Sequence, residues 1–398
     1  MIRRLVVVAV SLATLGFGAL VAPVPVNAMV DSANVVPSPN PSSVSNGLQS
    51  VSCVSTSWCV SVGYIDNGDF SQTLTLIWDG VEWSTAPSPN LGGGDNFLES
   101  VSCISVSWCT AVGYYYDGPS TQAKTLVLRW DGTAWAEVSS PSPGIENDLL
   151  NSVSCVSESF CMATGFSSDS DSAETLTLVW DGAAWTTVSS PNAGIGSDVL
   201  TEVSCLSPSW CIAVGNFESG PSSQTQTQTL ALAWDGRAWS VMSSLSPGTF
   251  GNVLNSISCI SALSCTAVGY YYDVSSTGTS VLVQRWDGRS WSVVPSPNTD
   301  AASNFLESVS CLGASSCTAV GYSLTNLLAQ TLVLTWDGAE WSIVPSPNAD
   351  NDNNELLSVA CVSAKGCTAV GISFTGSLAR TLVLALTESG SVTPTFTG

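Results

Sequence analysis

The sequence predicts an all-β chain folded as a seven-bladed β-propeller, with four antiparallel strands per blade and an N-terminal strand completing the last blade. Three observations carry the prediction. A unit opening with Leu-x-Ser-Val-Ser-Cys-x5-Cys-x-Ala-Val-Gly and closing with Trp-Asp-Gly-x-x-Trp recurs along the chain, and its first cysteines are Cys53, Cys103, Cys155, Cys205, Cys259, Cys311 and Cys361. They stand 50, 52, 50, 54, 52 and 50 residues apart, a period typical of stacked or radial repeats. Each unit holds four short runs of β-forming residues, and no helical periodicity follows the first 28 residues. The two ends of the repeat array are complementary: one lacks what the other carries.

The second unit shows the elements. Leu98 to Ile104 reads as strand a, Cys109 to Tyr114 as strand b, and Thr125 to Trp130 as strand c. Asp131-Gly132 reads as a two-residue hairpin turn, because Asp-Gly suits the positive φ angles such turns need. Strand d follows over Thr133 to Val138. That register sets Trp135 opposite Leu128, with Trp130 and Trp135 packing on one side against the neighbouring unit.

The termini distinguish a ring from an open array. The seventh unit runs through Thr381 to Leu384, but Leu386, Thr387 and Glu388 replace Trp-Asp-Gly and no strand d follows. Val35-Val36-Pro37-Ser38-Pro39-Asn40 repeats Val293-Val294-Pro295-Ser296-Pro297-Asn298, the end of strand d in unit five. An N-terminal strand d closing the last blade explains both, whereas an open solenoid would need capping repeats. Units then begin near residues 48, 98, 150, 200, 254, 306 and 356, preceded by a segment over 29–47 that carries the closing strand.

Residues 1–28 read as a secretory signal peptide: Arg3 and Arg4, an apolar run from Leu5 to Ala22, then the small-residue site Val26-Asn27-Ala28. The expected product is secreted, extracellular and monomeric, with no membrane insertion. All 14 cysteines fall in Cys-x5-Cys pairs. Cross-strand neighbours sit within disulfide reach, and zinc is disfavoured by the spacing and by the absence of histidine. The expected bridges are Cys53–Cys59, Cys103–Cys109, Cys155–Cys161, Cys205–Cys211, Cys259–Cys265, Cys311–Cys317 and Cys361–Cys367. Each closes a short loop and contributes roughly 2 kcal/mol by chain entropy.

Nine basic residues stand against 31 acidic ones, a net charge of −22. That balance excludes nucleic acid and anionic membranes as partners, since both need cationic contacts to phosphate. It keeps a surface rich in Ser, Thr and Asn soluble.

The strand order and the Asp-Gly-x-x-Trp hairpin resemble the Asp-box (BNR) repeats of sialidase-like propellers and the repeats of photosystem-assembly-factor-type propellers. Kelch-like repeats share the length and the N-terminal closing strand. The Asp79-to-Trp83 spacing is one position shorter than in an Asp box. The resemblance implies a propeller; a sialidase would add an arginine cluster for the substrate carboxylate and a tyrosine–glutamate nucleophile pair. Arg129, Arg237, Arg285 and Arg289 flank the c–d turn, opposite the face where such a site would lie, and only Arg380 and Lys124 fall at the b–c end. No arginine triad can form, and histidine, the commonest general base, is missing.

The expected function is therefore a non-catalytic binding module for extracellular glycan or protein; the alternative is a carbohydrate-active, sialidase-like hydrolase. Candidate ligand residues are the tyrosine runs with their aspartates at the ends of strand b, Tyr114, Tyr115, Tyr116 and Asp117, and Tyr270, Tyr271, Tyr272 and Asp273. Exposed aromatics beside carboxylates can stack on sugars, although the first tyrosine of each run also fits blade packing. An Asn or Asp precedes each strand-a leucine by two (Asn46, Asn96, Asp148, Asp198, Asn252, Asn304, Asn354). It reads as an Asx turn or as a polar ring at the channel mouth. No cofactor is expected; for calcium the candidate ligands are Asp350, Asp352 and Glu355.

Overall fold

The computed structural model describes residues 30–118, 122–169, 172–220, 225–272, 278–363 and 366–387, so residues 1–28, expected to be a signal peptide, lie outside the described residues. The described residues are strands and connections, without an α-helix. Five sheets have four antiparallel strands each, and a sixth joins two more such units through one parallel bridge, Thr227 to Gly251. This is repeated four-stranded architecture of the β-propeller kind.

In the second unit the strands run Asn96–Ser105, Trp108–Tyr116, Ala123–Trp130 and Trp135–Glu137, paired in chain order. The expected centres hold, and strands a to c extend past the sequence-based ends. The c–d turn differs: Trp130 pairs with Trp135, Leu128 with Glu137, and the loop has four residues. The cause is the Asp side chain. Asp131 Oδ1 accepts from the backbone N–H of Thr133 and of Ala134, at 2.8 and 2.9 Å, and Gly132 takes φ +96°. A capped loop needs one left-handed residue where a two-residue turn needs two. Asp79, Asp181, Asp235, Asp287 and Asp337 cap their loops in the same way.

The register change sets the paired tryptophans directly opposite each other, with ring centroids 5.7 to 5.9 Å apart and planes tilted by 43 to 49°. Each pair faces the preceding unit, Trp180 and Trp185 packing with Trp108. The first indole N–H donates to an a–b turn carbonyl of its own unit, as Trp130 does to Val106 at 3.1 Å. All seven cysteine pairs are disulfides with Cα atoms 4.0 to 4.1 Å apart, between directly paired residues of strands a and b. They suit an oxidising compartment. Among the described residues no helix is long and apolar enough to cross a membrane.

The glycine of Ala-Val-Gly has a steric origin. A register shift between Leu98 and Ser100 pushes strand a towards strand b, and a Cβ on Gly113 would collide with the Phe97 carbonyl oxygen. The two serines of Leu-x-Ser-Val-Ser-Cys join neighbouring units. Ser100 Oγ accepts from Val153 N–H at 3.2 Å and Ser102 Oγ from Cys155 N–H at 3.1 Å, and the pattern recurs around the molecule. Inner strand amides thus find partners in the preceding unit, not in a sheet. Ser308→Ala should strand the buried Val359 N–H, which Ser308 Oγ accepts at 3.1 Å. The expected loss is about 1–3 kcal/mol, read from the urea midpoint; an unchanged midpoint would remove this role.

The N-terminal strand pairs with the last strand of unit seven. Ser32–Val35 pairs antiparallel with Leu378–Thr387, Val35 opposite Leu384, as Val293 stands opposite Gln284 in unit five. Val36 N–H donates to Val383 O and Thr381 N–H to Asn40 Oδ1, both at 2.8 Å. Leu386 and Ala33 take the places of the tryptophan pair, and Val30 packs beside them. Strand a of unit seven (Asn354–Ser363) lies along strand a of unit one (Ser45–Ser55), where Ser358 Oγ accepts from Val51 N–H at 3.2 Å. Ala360 replaces the second serine, so this seam carries the first of the two bonds.

Candidate functional site

Strand a is innermost in each unit, and the residue between its leucine and first serine turns into a central cavity of about 100 Å³. Gln49, Glu99, Asn151, Thr201, Asn255 and Glu307 line it. Several clamp the next unit: Asn151 Nδ2 donates to Leu200 O at 2.8 Å and Thr201 Oγ1 to Leu254 O at 2.7 Å. Asn255 Nδ2 donates to Leu306 O at 3.0 Å and to Glu307 Oε2 at 2.9 Å. Glu202 stands where other units have the first serine and takes over its bond, Oε2 accepting from Ile257 N–H at 2.7 Å. Burial pushes the carboxyls of Glu99, Glu202 and Glu307 up to about 7. Glu355, nearer the mouth on strand a of unit seven, is also raised by burial.

Aromatic side chains gather at the entrance where strand a begins. Phe97 packs between Tyr64 and Tyr114, with centroids at 5.5 and 5.1 Å, and Tyr116 packs edge-on to Tyr114 at 6.0 Å. Phe305 sits likewise between Tyr270 and Tyr322, 4.9 Å from each. These half-buried phenols lie in the field of the channel carboxylates. Desolvation first, then Glu99 or Glu307, raises Tyr64, Tyr114, Tyr270 and Tyr322 above the usual phenol value.

The candidate tyrosines divide between packing and surface. Tyr114 and Tyr270 belong to the ring clusters, and Tyr115 and Tyr271 pack against the cores between units. Tyr116 adjoins the first cluster, while Tyr272 packs on Phe250 at 5.4 Å and covers Gly251. Asp117 is exposed and ion-paired with Lys124 at 3.0 Å; Asp273 lies outside the described residues. The runs do not form free aromatic platforms. The partners that complete the clusters, Phe97 and Phe305, sit directly before a strand-a leucine in the sequence and were not singled out there.

The Asx residues before the strand-a leucines close the d–a loops. Asn96 Oδ1 accepts from Leu91 N–H at 2.8 Å, and Asp198 Oδ1 from Ala193 N–H at 2.7 Å. Their side chains are committed to Asx turns that start strand a. Asp350 and Asp352 serve the b–c turn of unit seven, accepting from Thr375 Oγ1 at 3.0 Å and Gly376 N–H at 2.7 Å. Glu355 belongs to the channel instead, so the three do not form one ligand set. Among the described residues no group of three or more His, Cys, Asp or Glu side chains could hold a metal ion.

Three apolar side chains stand outward on consecutive d–a loops of the same face. Ile145 is 82% exposed and Ile195 81%, with Phe250 at 43%. Their loops are tethered: Gly144 N–H donates to Asp148, Ile195 N–H to Glu218 O, and Phe250 N–H to Tyr272 O. The sequence signal was present in Pro143-Gly-Ile145, Ala193-Gly-Ile195 and Pro247-Gly-Thr-Phe250, apolar tips inside Ser/Pro/Gly loops. Glu99, Glu202 and Glu307 were legible too, as charged departures at aligned repeat positions.

No family model matches the sequence, and no curated protein matches it. Among solved structures, the chain is similar to YCF48 bound to D1 peptide, with a TM-score of 0.53 at 12% identity over 90% of this chain and 97% of that one. It is also similar to Chaetomium thermophilum Sqt1 bound to the N-terminus of the ribosomal protein L10, with a TM-score of 0.49 at 11% identity over 87% and 98% of the two chains. At such identity the likeness to YCF48 establishes the propeller fold and nothing finer.

Proposed function

We propose that this chain is an exported, non-catalytic protein-binding module: a closed ring of seven blades that takes a polypeptide segment on the face carrying the d–a and b–c loops. Pairing of Ser32–Val35 with Leu378–Thr387, and the Val51–Ser358 bond, support closure. The seven disulfides and the leader-like N-terminus support export. The observation that carries the binding assignment is the set of tips Ile145, Ile195 and Phe250. Apolar side chains held outward by tethered loops lose little further entropy when a partner covers them. The similar propeller YCF48 was solved with a peptide bound, which suits the same use of the fold.

A glycan ligand draws less support, because the tyrosines that suggested it are engaged in packing, mostly on phenylalanines and on the cores between units. The test is a display selection of random short peptides on the immobilised protein, with a glycan array in parallel. Peptides should be enriched on the wild type and lost on the Ile145→Asp/Ile195→Asp variant, whose exposed sites tolerate the change in fold. Glycan binding that survives the variant, with no peptide enriched, would replace this reading.

A further inference from the structure

The loops of this face are uniform in one respect that fold alone does not require: none of the seven d–a connections contains a lysine or arginine. Apolar tips occupy the loops entering units three, four and five, at Ile145, Ile195 and Phe250. Carboxylates occupy the next two, Asp300 entering unit six and Asp350 and Asp352 entering unit seven, while Glu146 adjoins the first apolar tip. Asp300 and Asp352 are exposed. The described cations at this end are already engaged, Lys124 by Asp117 at 3.0 Å and Arg380 Nη1 by Ser42 O at 3.3 Å. The other described arginines flank the c–d turns at the far end, where Arg285 lies 4.9 Å from the Trp336 ring centroid. Between the loops, the channel mouth adds Glu355 and, deeper, Glu307. The d–a loops of this face therefore present an apolar arc running into an acidic arc, with exposed Leu327 on the b–c turn of unit six and no free cation among the described residues of the face.

We infer that the segment bound here is basic and apolar: a partner polypeptide with aliphatic or aromatic anchors for the Ile145–Ile195–Phe250 arc and lysines or arginines for the Asp300–Asp352 arc. This deepens the protein-binding reading and rests on it. Charge complementarity across such a rim governs encounter rate and partner choice more than final affinity. Acidic partners are repelled, and capture of a basic one falls with salt over a Debye length of about 8–10 Å. The arcs lie on adjacent units, so one extended segment across the mouth meets both.

The experiment uses the full mature chain and three synthetic peptide series sharing the same leucine and phenylalanine positions, with intervening residues lysine, serine or glutamate. Binding is measured by fluorescence anisotropy at low and high sodium chloride. The lysine series should bind best, weaken with salt, weaken about three- to tenfold in Asp300→Asn/Glu146→Gln, and be lost in Ile145→Asp/Ile195→Asp. Those two carboxylates are chosen because they hold no turn bond. Equal binding of the serine or glutamate series, still abolished by the isoleucine substitutions, would overturn the basic class and leave a protein-binding face. Absence of binding by every series, or binding indifferent to Ile145 and Ile195, would overturn both. Concentration-dependent self-association abolished by the isoleucine substitutions would assign the face to a second copy and overturn the proposal.

Discussion

Between about pH 4.5 and pH 7 the protein should lose stability as the pH rises, and Glu99→Gln/Glu202→Gln/Glu307→Gln should remove most of that loss. The three carboxyls titrate near 4.5 when unfolded and at about 7 in the channel. The folded state therefore holds more protons across that window, and stability must fall as they leave. The cause is desolvation without a cation: Glu99 is offered Gln49 Nε2 at 3.4 Å, Glu307 Asn255 Nδ2, and Glu202 the Ile257 amide. One pKa unit corresponds to about 1.4 kcal/mol, so a fully dry group would lose about 3 kcal/mol over the window. Partial exposure of these side chains to the open channel reduces this to about 1–2 kcal/mol each. Thermal midpoints at pH 5 and pH 8 are the measurement. A flat wild-type profile would show the channel carboxylates to be as well solvated as surface ones. The turn aspartates act in the opposite direction and at lower pH. Backbone N–H donors lower Asp79, Asp181, Asp235, Asp287 and Asp337, and the Thr133 hydroxyl followed by backbone N–H donors lowers Asp131, so what they contribute is lost only in acid. The optimum should lie near pH 4.5–5.

The larger effect is expected from beginning the chain at Pro37, which removes the closing strand. Val30, 4% exposed, contributes about 2 kcal/mol by burial. The ladder from Ser32–Thr387 to Val35–Leu384 and the Val36 amide add about 1 kcal/mol per hydrogen bond. Together the loss should exceed about 5 kcal/mol, and the edge of Leu378–Thr387 would be left open to pair with other chains. The truncated protein should unfold at much lower urea, scatter light, and regain its midpoint when a peptide of residues 30–36 is supplied. An unchanged midpoint in a monomeric protein would show that the strand is dispensable and that the contacts between the inner strands of units seven and one suffice.

The fold was legible because a repeat states each structural requirement several times. Disulfide pairing followed from the Cys-x5-Cys spacing, and the closing strand from the likeness of Val35–Asn40 to Val293–Asn298. Even the c–d turn was located correctly, though its register was not, since the cap made by Asp131 Oδ1 depends on where two amides point. The site was less legible for the opposite reason. Function at a repeat protein's face comes from departures at single positions, and Ile145 or Glu202 in one copy resembles ordinary drift until the copies are set side by side in space.

From its amino acids alone the chain is committed to four-stranded units, seven disulfides and an acidic surface, because alternation, cysteine spacing and charge are local or additive properties. Which serine meets which neighbouring amide, which carboxylates are driven into one channel, and which loop tips share a face are decided by how the units pack. Those contacts join residues about fifty positions apart, and only the packing of one unit against the next brings them within hydrogen-bonding distance.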